Sequence, residues 1–356
     1  MQTFSRVVVG LVISLSFVAA SCSLPLVNNT TGGVLKTANG GVDWQQSSKV
    51  VLDGKTGVVP GSVSKMAFGV NSPDVILAGT FTGGLYQSTD GGQVWTPILQ
   101  KLTVYDFAQH PADANTLYVA GSFDNRGRVL VTRDDGKSWL EVFNEGSANN
   151  AVRAIAVNPN NAQEVTIGLQ SGNIVQSLDG GTSWKLLQTY NDQVSRLEWH
   201  GGSLFAVMKT TGVLRSSDGG LSFQNITKSL QPSGNVLNFS FSGQTVGQFN
   251  RIAVSNTNSN LMFVTTDRGV FRTSDGGNNW AALALPLKQQ NVVVQSVAVS
   301  PSTDSVVYVG AGNNVYKSVD GGNRWLVQDT TAEGLVNNVI VHPTLPQVAF
   351  VGMFVQ

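Results

Sequence analysis

Apolar and polar positions along this chain fall into short runs with the two-residue period of half-buried β-strands. Seven of these runs align with one another: Val63–Phe68, Val104–Gln109, Val152–Val157, Val194–Trp199, Phe249–Val254, Val294–Val299 and Val336–Val341. A turn rich in Pro, Asn and Ser follows most of them, as at His110-Pro111-Ala112-Asp113, where these residues favour chain reversal. A second strand comes next, for example Leu117–Gly121 or Val307–Gly310. A third strand then leads into a recurring signature, Ser/Thr-x-Asp-Gly-Gly-x-x-Trp, whose Trp opens a fourth strand. The signature occupies Thr37–Trp44, Ser88–Trp95, Thr132–Trp139, Ser177–Trp184, Ser216–Phe223, Thr273–Trp280 and Ser318–Trp325. A mean spacing of about 47 residues is the length of one four-stranded propeller blade.

The two ends of the repeat array fit together. Gly33–Thr37 reads as a third strand and Trp44 opens a fourth, whereas Val336–Val341 and Val348–Val355 read as a first and a second. Two strands from each end would complete one blade and remove two exposed sheet edges. The expectation is an all-β chain forming a single seven-bladed β-propeller, residues 33–356, closed by two N-terminal plus two C-terminal strands.

The signature accounts for its own residues. Gly-Gly permits the positive φ angles of a tight hairpin. The carboxylates of Asp90, Asp134, Asp179, Asp218, Asp275 and Asp320 can accept bonds from turn N–H groups, and the Ser/Thr hydroxyl can join them. Asn39 and Phe223, which replace Asp and Trp in two copies, still accept a bond and still pack. The ligand spacing of calcium loops is missing, so a structural role is expected for the acids, and no metal or cofactor.

Composition narrows the function classes. With 22 basic and 22 acidic residues in 356, the formal net charge is zero, which gives no general attraction to nucleic acid. A single charge, Arg6, precedes the mostly apolar run Val7–Ala20. That run is too short for a hydrocarbon core of about 30 Å and reads as an export signal. It ends at Ala19-Ala20-Ser21-Cys22, which resembles a bacterial lipobox. Cys22 is the only Cys, so a disulfide is excluded and lipidation is the expected use of the thiol. Residues 1–22 are therefore read as a lipoprotein-type signal and 23–32 as a tether, placing a monomer on a membrane of the bacterial cell envelope.

The repeated signature resembles the Asp-box, or bacterial neuraminidase repeat, superfamily, whose members include sialidases, sortilin-type receptors, xyloglucanases and photosystem II assembly and stability factors. The resemblance covers residues 33–356 and implies the fold; the boxes lie on the blade periphery and carry no activity from one family to another. A sialidase would carry Arg-Ile-Pro early in the chain, and the nearest string here is Arg251-Ile252-Ala253. A xyloglucanase-like enzyme would need two carboxylates facing a cleft between two propellers, and this chain holds one propeller. The second strands, such as Ile76–Gly79, depart from the Gly-Trp-x-Val-Gly type of the photosystem factors.

Deviations from the repeat are where function can be written. The second and third positions of the first strands, expected at the channel mouth, include Lys65, Tyr105, Asp106, Arg153, Arg196 and Arg251. Glu198 replaces a small or apolar residue at its own position. Lys65, Arg153, Arg196 and Arg251 are read as a basic rim for an acidic peptide segment, a loop or an anionic glycan, in a non-catalytic platform, with Tyr105, Asp106 and Glu198 as further candidates. The other reading is that the four are channel-lining charges solvated by water or paired with Asp106 and Glu198. A glycosidase on the same fold and an assembly factor for a membrane complex are the alternatives. Two irregular connections face the same way: Phe123–Gly127, with Arg126, reads as a lengthened turn, and Thr227–Gln248, with Phe239 and Phe241, as a long insertion. The three histidines, His110, His200 and His342, fall in different blades and predict no shared metal site.

Overall fold

The computed structural model describes residues 33–60, 62–230, 247–287 and 292–355. The apolar leader, Cys22, the tether, Phe239 and Phe241 lie outside the described residues. Seven four-stranded antiparallel sheets form the blades of the propeller. The first strands of blades 1 to 7 are Val63–Phe68, Thr103–Gln109, Val152–Asn158, Val194–His200, Phe249–Val254, Val294–Ser300 and Leu335–Val341. Blade 7 is completed by Ala349–Phe354, Val34–Thr37 and Gln45–Gln46. Val34–Thr37 pairs antiparallel with Ala349–Gly352, so the expected two-plus-two closure holds.

The apolar core is divided among the blade interfaces. Seven clusters of buried side chains occupy the described residues, one between each pair of neighbouring blades. The blade 7–blade 1 cluster, for example, joins Val34 and Phe350 to Val63, Met66, Tyr86 and Trp95. A glycine in the second strand makes room for this packing in several blades. A Cβ on Gly168 would lie 2.3 Å from Cγ1 of Val194, the first residue of the next blade's inner strand.

The boxes behave as turns with a staple. In blade 3, Gly181 N donates to Ser177 Oγ at 2.8 Å, Ser177 Oγ donates to Asp179 Oδ1 at 2.7 Å, and Ser183 N donates to the same carboxylate oxygen at 2.8 Å. The tryptophan reaches outward to the preceding blade: Trp95, Trp139, Trp184 and Trp280 donate Nε1–H to the carbonyls of Ser47, Ile98, Val142 and Ile226. These four boxes therefore each close a hairpin and tie it to the element before it. Among the described residues, Nε1 of Trp44 and of Trp325 is buried without a partner, and the Phe223 ring has no N–H to give.

Two features differ from the sequence reading. Phe123–Gly127 is no lengthened loop: the strands Leu117–Phe123 and Arg126–Thr132 simply run further, joined by Asp124 and Asn125 at φ 49° and 58°. Those left-handed angles suit a two-residue hairpin turn, and Asp and Asn tolerate them. In addition, an unforeseen hairpin, Lys49–Leu52 with Lys55–Val58, follows blade 7. It lies against the outer edge of blade 1, where Val50 bridges Trp95, and covers an edge that would otherwise be open.

Candidate functional site: the channel mouth

Every first strand enters the ring through the same irregularity. The register shifts by one residue between Val63 and Lys65, Val152 and Ala154, Val194 and Arg196, Phe249 and Arg251, Val294 and Ser296, and Val336 and Asn338. In blade 2 the shift falls opposite Ala120 and Gly121 and leaves Tyr105 unpaired. The residue left over is Ser64, Tyr105, Arg153, Ser195, Asn250, Gln295 or Asn337. A β-bulge bends the strand and re-aims the extra side chain. Six of these seven residues, all but Ser64, line one pocket of about 710 Å³.

The remaining walls of that pocket are Phe81, Gln193, Arg196, Lys209, Gln248, Phe249 and Arg251. The lining therefore includes the cations Arg153, Arg196, Lys209 and Arg251, and no Asp or Glu. Two acids on the same face are directed elsewhere: Asp192 accepts from Thr210 N and Thr211 N, and Asp267 accepts from Gln248 N.

The arginines are held in different ways. Arg196 extends from blade 4 across the channel, donating to Tyr105 O at 3.3 Å and to Ser64 O at 3.1 Å. Arg251, from blade 5, is 9 % exposed and donates to Asn337 O at 3.5 Å. Arg153 lies over the Tyr105 ring, 4.0 Å from its centroid, and donates Nε–H and Nη2–H to Gln170 Oε1. Among the described residues none of the three makes an ion pair. Burial first, and then the Arg196 charge, pull the Arg251 guanidinium down to about 9, against the opposing influence of Glu198 and Asp106. It is thus still a cation at neutral pH, with its charge only partly compensated.

An aromatic train borders the cations. Phe81 meets Phe354 edge-on at 5.7 Å and Tyr105 at 5.8 Å, and Tyr105 carries the Arg153 guanidinium. The mouth thus combines charge with flat apolar area. Cations beside ring faces can hold an anionic group together with an apolar or planar one.

Other residues singled out from the sequence take different places. Lys65 does not line the pocket; its Nζ pairs with Asp106 Oδ1 at 2.5 Å and also donates to Phe107 O. Asp106 is fully buried and accepts from Phe107 N and Ile155 N as well. That carboxylate is a structural tie between blades 1, 2 and 3, because a buried charge needs its partners. Lys65 therefore stands apart from the other three basic residues, paired with Asp106 outside the pocket. Arg126 stands at the tip of the blade 2 hairpin, where its backbone bridges Asn150, outside the pocket.

Glu198 lies further along blade 4, in the sequence Arg196-Leu197-Glu198-Trp199-His200, and its Oε2 is 3.0 Å from His200 Nε2. Desolvation raises its pKa, but the His200 hydrogen bond and the charges of His200, Arg251 and Lys65 outweigh it and hold the group below the usual range. It is a carboxylate, not a protonated acid, at neutral pH. His110 and His342 instead accept turn N–H groups at Nδ1, from Ala112 and Asp113 and from Thr344 and Leu345.

Phe81 and Lys209 were missed because they follow the second strand. The signal was available: one residue beyond the second-strand partner of each first strand's leading Val or Phe stands Phe81, Gln170, Lys209, Asp267, Gly312 or Phe354 in blades 1 and 3 to 7. Read as a column beside the first-strand positions, it contains the pocket's fourth cation and two of its aromatic neighbours.

Comparison with known proteins agrees with the architecture. A family model described as Sortilin, neurotensin receptor 3 (Sortilin-Vps10) matches residues 83–211. Xyloglucanase Xgh74A of Acetivibrio thermocellus is 25 % identical over 162 residues, 40 % of this chain and 19 % of that protein. Vacuolar protein sorting/targeting protein 10 of Aspergillus fumigatus is 36 % identical over 80 residues, 21 % of this chain and 5 % of that one. The matches thus span about a fifth or less of the length of these curated relatives. Among solved structures, the GH74 xyloglucanase from Xanthomonas campestris superposes with a TM-score of 0.66 at 16 % identity, covering 90 % of this chain and 52 % of that chain. YCF48 bound to D1 peptide gives 0.60 at 15 % identity, covering 93 % and 98 %. Together these likenesses support a β-propeller superfamily; at such identities the structural ones speak for the fold alone.

Proposed function

We propose that this protein is a non-catalytic binding platform whose channel mouth receives an acidic peptide segment or an anionic glycan. One observation carries the reading: four cations converge on a pocket whose lining contains no carboxylate. Cations that make no ion pair and are only partly compensated, in a concave site, attract and orient an anion. The likeness to a propeller seen with a bound peptide is compatible with the peptide branch.

The test is fluorescence anisotropy of labelled Glu-rich, Lys-rich and neutral peptides, and of a sulfated glycan, with the purified protein. The double variant Arg153→Glu/Lys209→Glu reverses the charge of two half-buried pocket residues without touching the buried Lys65–Asp106 tie. Binding of the anionic probes, weakened at least about thirtyfold in the variant, is the expected result, on the scale of about 2 kcal/mol for charged contacts at an interface. Equal binding of all probes, or equal binding by both proteins, would contradict it.

A second reading, glycoside hydrolysis, is favoured by the matches to xyloglucanases. It requires a raised, protonated acid facing a second carboxylate. Glu198 is shifted the other way and Asp106 is sealed in its ties, which weighs against it. An assembly factor for a membrane complex would differ from the platform only in its ligand.

The platform is further proposed to be an envelope lipoprotein tethered through Cys22. Replacing Cys22 with Ser should abolish labelling by a fatty-acid analogue and release the protein from membranes in fractionation. Retention of both label and membrane association by Cys22→Ser would remove that part of the proposal.

A further inference from the structure

The box of the closing blade runs with reversed polarity. In five of the other six, the side chain four residues after the Asp donates to its carboxylate: Ser138 to Asp134 at 2.6 Å, Ser183 to Asp179 at 2.6 Å, Asn279 to Asp275 at 2.7 Å and Arg324 to Asp320 at 2.9 Å, with Ser222 on Asp218 alike. In blade 7 the acidic position is Asn39 and the donor position is Asp43. Here Asn39 Nδ2 donates to Asp43 Oδ2 at 2.8 Å, while Asn39 Oδ1 accepts from Asp43 N at 3.0 Å and from Thr37 Oγ1 at 3.0 Å. This orientation of the amide is fixed by its partners, since only the nitrogen can face a carboxylate. The exchange of Asp for Asn is therefore compensated by an exchange of donor for acid, and the box is complete only while residue 39 remains an amide.

Asn39 is followed by Gly40, the sole Asn-Gly step in the sequence. A glycine presents the least obstructed backbone nitrogen to the preceding side chain. Attack of that nitrogen on the Asn amide carbon forms a cyclic imide and expels ammonia. Water then opens the ring to Asp or isoaspartate, so that one water is consumed and one ammonia released. In the closed ring the nucleophile is engaged: Gly40 N donates to Gln347 O at 2.7 Å, across the turn between the first two strands of blade 7. Gly40 O in turn accepts from Gln328 Nε2 of blade 6 at 2.8 Å. Asn39 itself is exposed to solvent and Gly40 is buried, so water reaches the amide while the attacking nitrogen is withheld.

We infer that Asn39-Gly40 is a hydrolytic modification site, guarded by ring closure, whose conversion to aspartate weakens the blade that guards it. An aspartate at position 39 meets the Asp43 carboxylate at hydrogen-bond distance, and two carboxylates so placed disfavour one another's charge. Opening of the seam therefore leaves a permanent mark: a chain that has opened and reacted closes less firmly than one that has not.

Two measurements on the full chain test this. Peptide mapping and isoaspartate detection after incubation at mildly alkaline pH should show deamidation of Asn39 at least about tenfold slower in the native protein than in urea, as expected when reaction requires local opening. Equal rates would overturn the guarding role. Separately, Asn39→Asp should lower the melting temperature by roughly 2–4 °C, and Asp43→Ser added to it should recover most of that loss by restoring the arrangement of Asp134 and Ser138. An Asn39→Asp protein that melts with the natural one, or is not rescued by Asp43→Ser, would overturn the reversed-polarity account. If Asn39→Asp does not fold, the native-to-urea comparison on the natural chain still decides the first half.

Discussion

At the scale of single residues, the box aspartates are exposed or half-buried and yet strongly committed. Side-chain and backbone donors from the position four residues on hold Asp134, Asp179 and Asp218 at about 2, with Ser138, Ser183 and Ser222 as the chief causes. Asp275 and Asp320 sit at about 2 through Asn279 and Arg324. A carboxylate whose folded pKa lies below its unfolded value stabilises the fold above the unfolded pKa, about 3.9, and loses that contribution as pH falls through the folded one. Five such groups act in the same direction; their contribution is complete above about pH 5, and melting temperature should fall steeply between about pH 4 and 2. Asp179→Asn removes one titrating group; its melting temperature should be lower at neutral pH and decline less on acidification. An unchanged acid profile in that variant would show that the box carboxylates do not govern acid stability.

Elements are held to one another by repeated small devices. The second-strand glycine of blade 3 is the clearest, because its missing Cβ is the space occupied by Val194 of blade 4. Gly168→Ala forces a β-branched, fully buried neighbour to shift. By the usual cost of overpacking it should destabilise the fold by about 1–3 kcal/mol, seen in chemical denaturation as a lower midpoint with an unchanged slope. A midpoint equal to that of the natural protein would mean that the blade interface gives way more easily than its packing implies. The strands themselves were legible in the sequence because each repeats seven times, so that alignment within one chain separates pattern from noise. The bulge at the head of every first strand was not legible, since an extra residue leaves the apolar pattern intact beyond it. The Lys49–Val58 hairpin escaped for a related reason: it occurs once, and no repeat supports it.

For the whole molecule, ring closure decides which side chains can meet. Arg196 reaches carbonyls in blades 1 and 2 from blade 4, a contact between residues more than ninety positions apart that only a closed ring brings about. The basic candidates at the mouth could be found by aligning first strands, and Arg153, Arg196 and Arg251 do share one pocket with Tyr105. What alignment could not give was pairing. Lys65 and Asp106 occupy the same column as Arg196 and Arg251, but stand on adjacent blades and cancel one another in a buried tie. Arg196 and Arg251 also stand on adjacent blades, carry like charges and cannot do so. The incompletely compensated charge of the site is thus a property of blade order, not of composition, in a chain whose net charge is zero.

The most direct measurement is crosslinking in living cells followed by affinity capture, comparing the natural protein with Arg153→Glu/Lys209→Glu. Capture of an anionic peptide-bearing protein or glycan by the natural chain, with loss of it by the folded variant, is the predicted result. The same ligand captured equally by both proteins would contradict the channel mouth as the binding site.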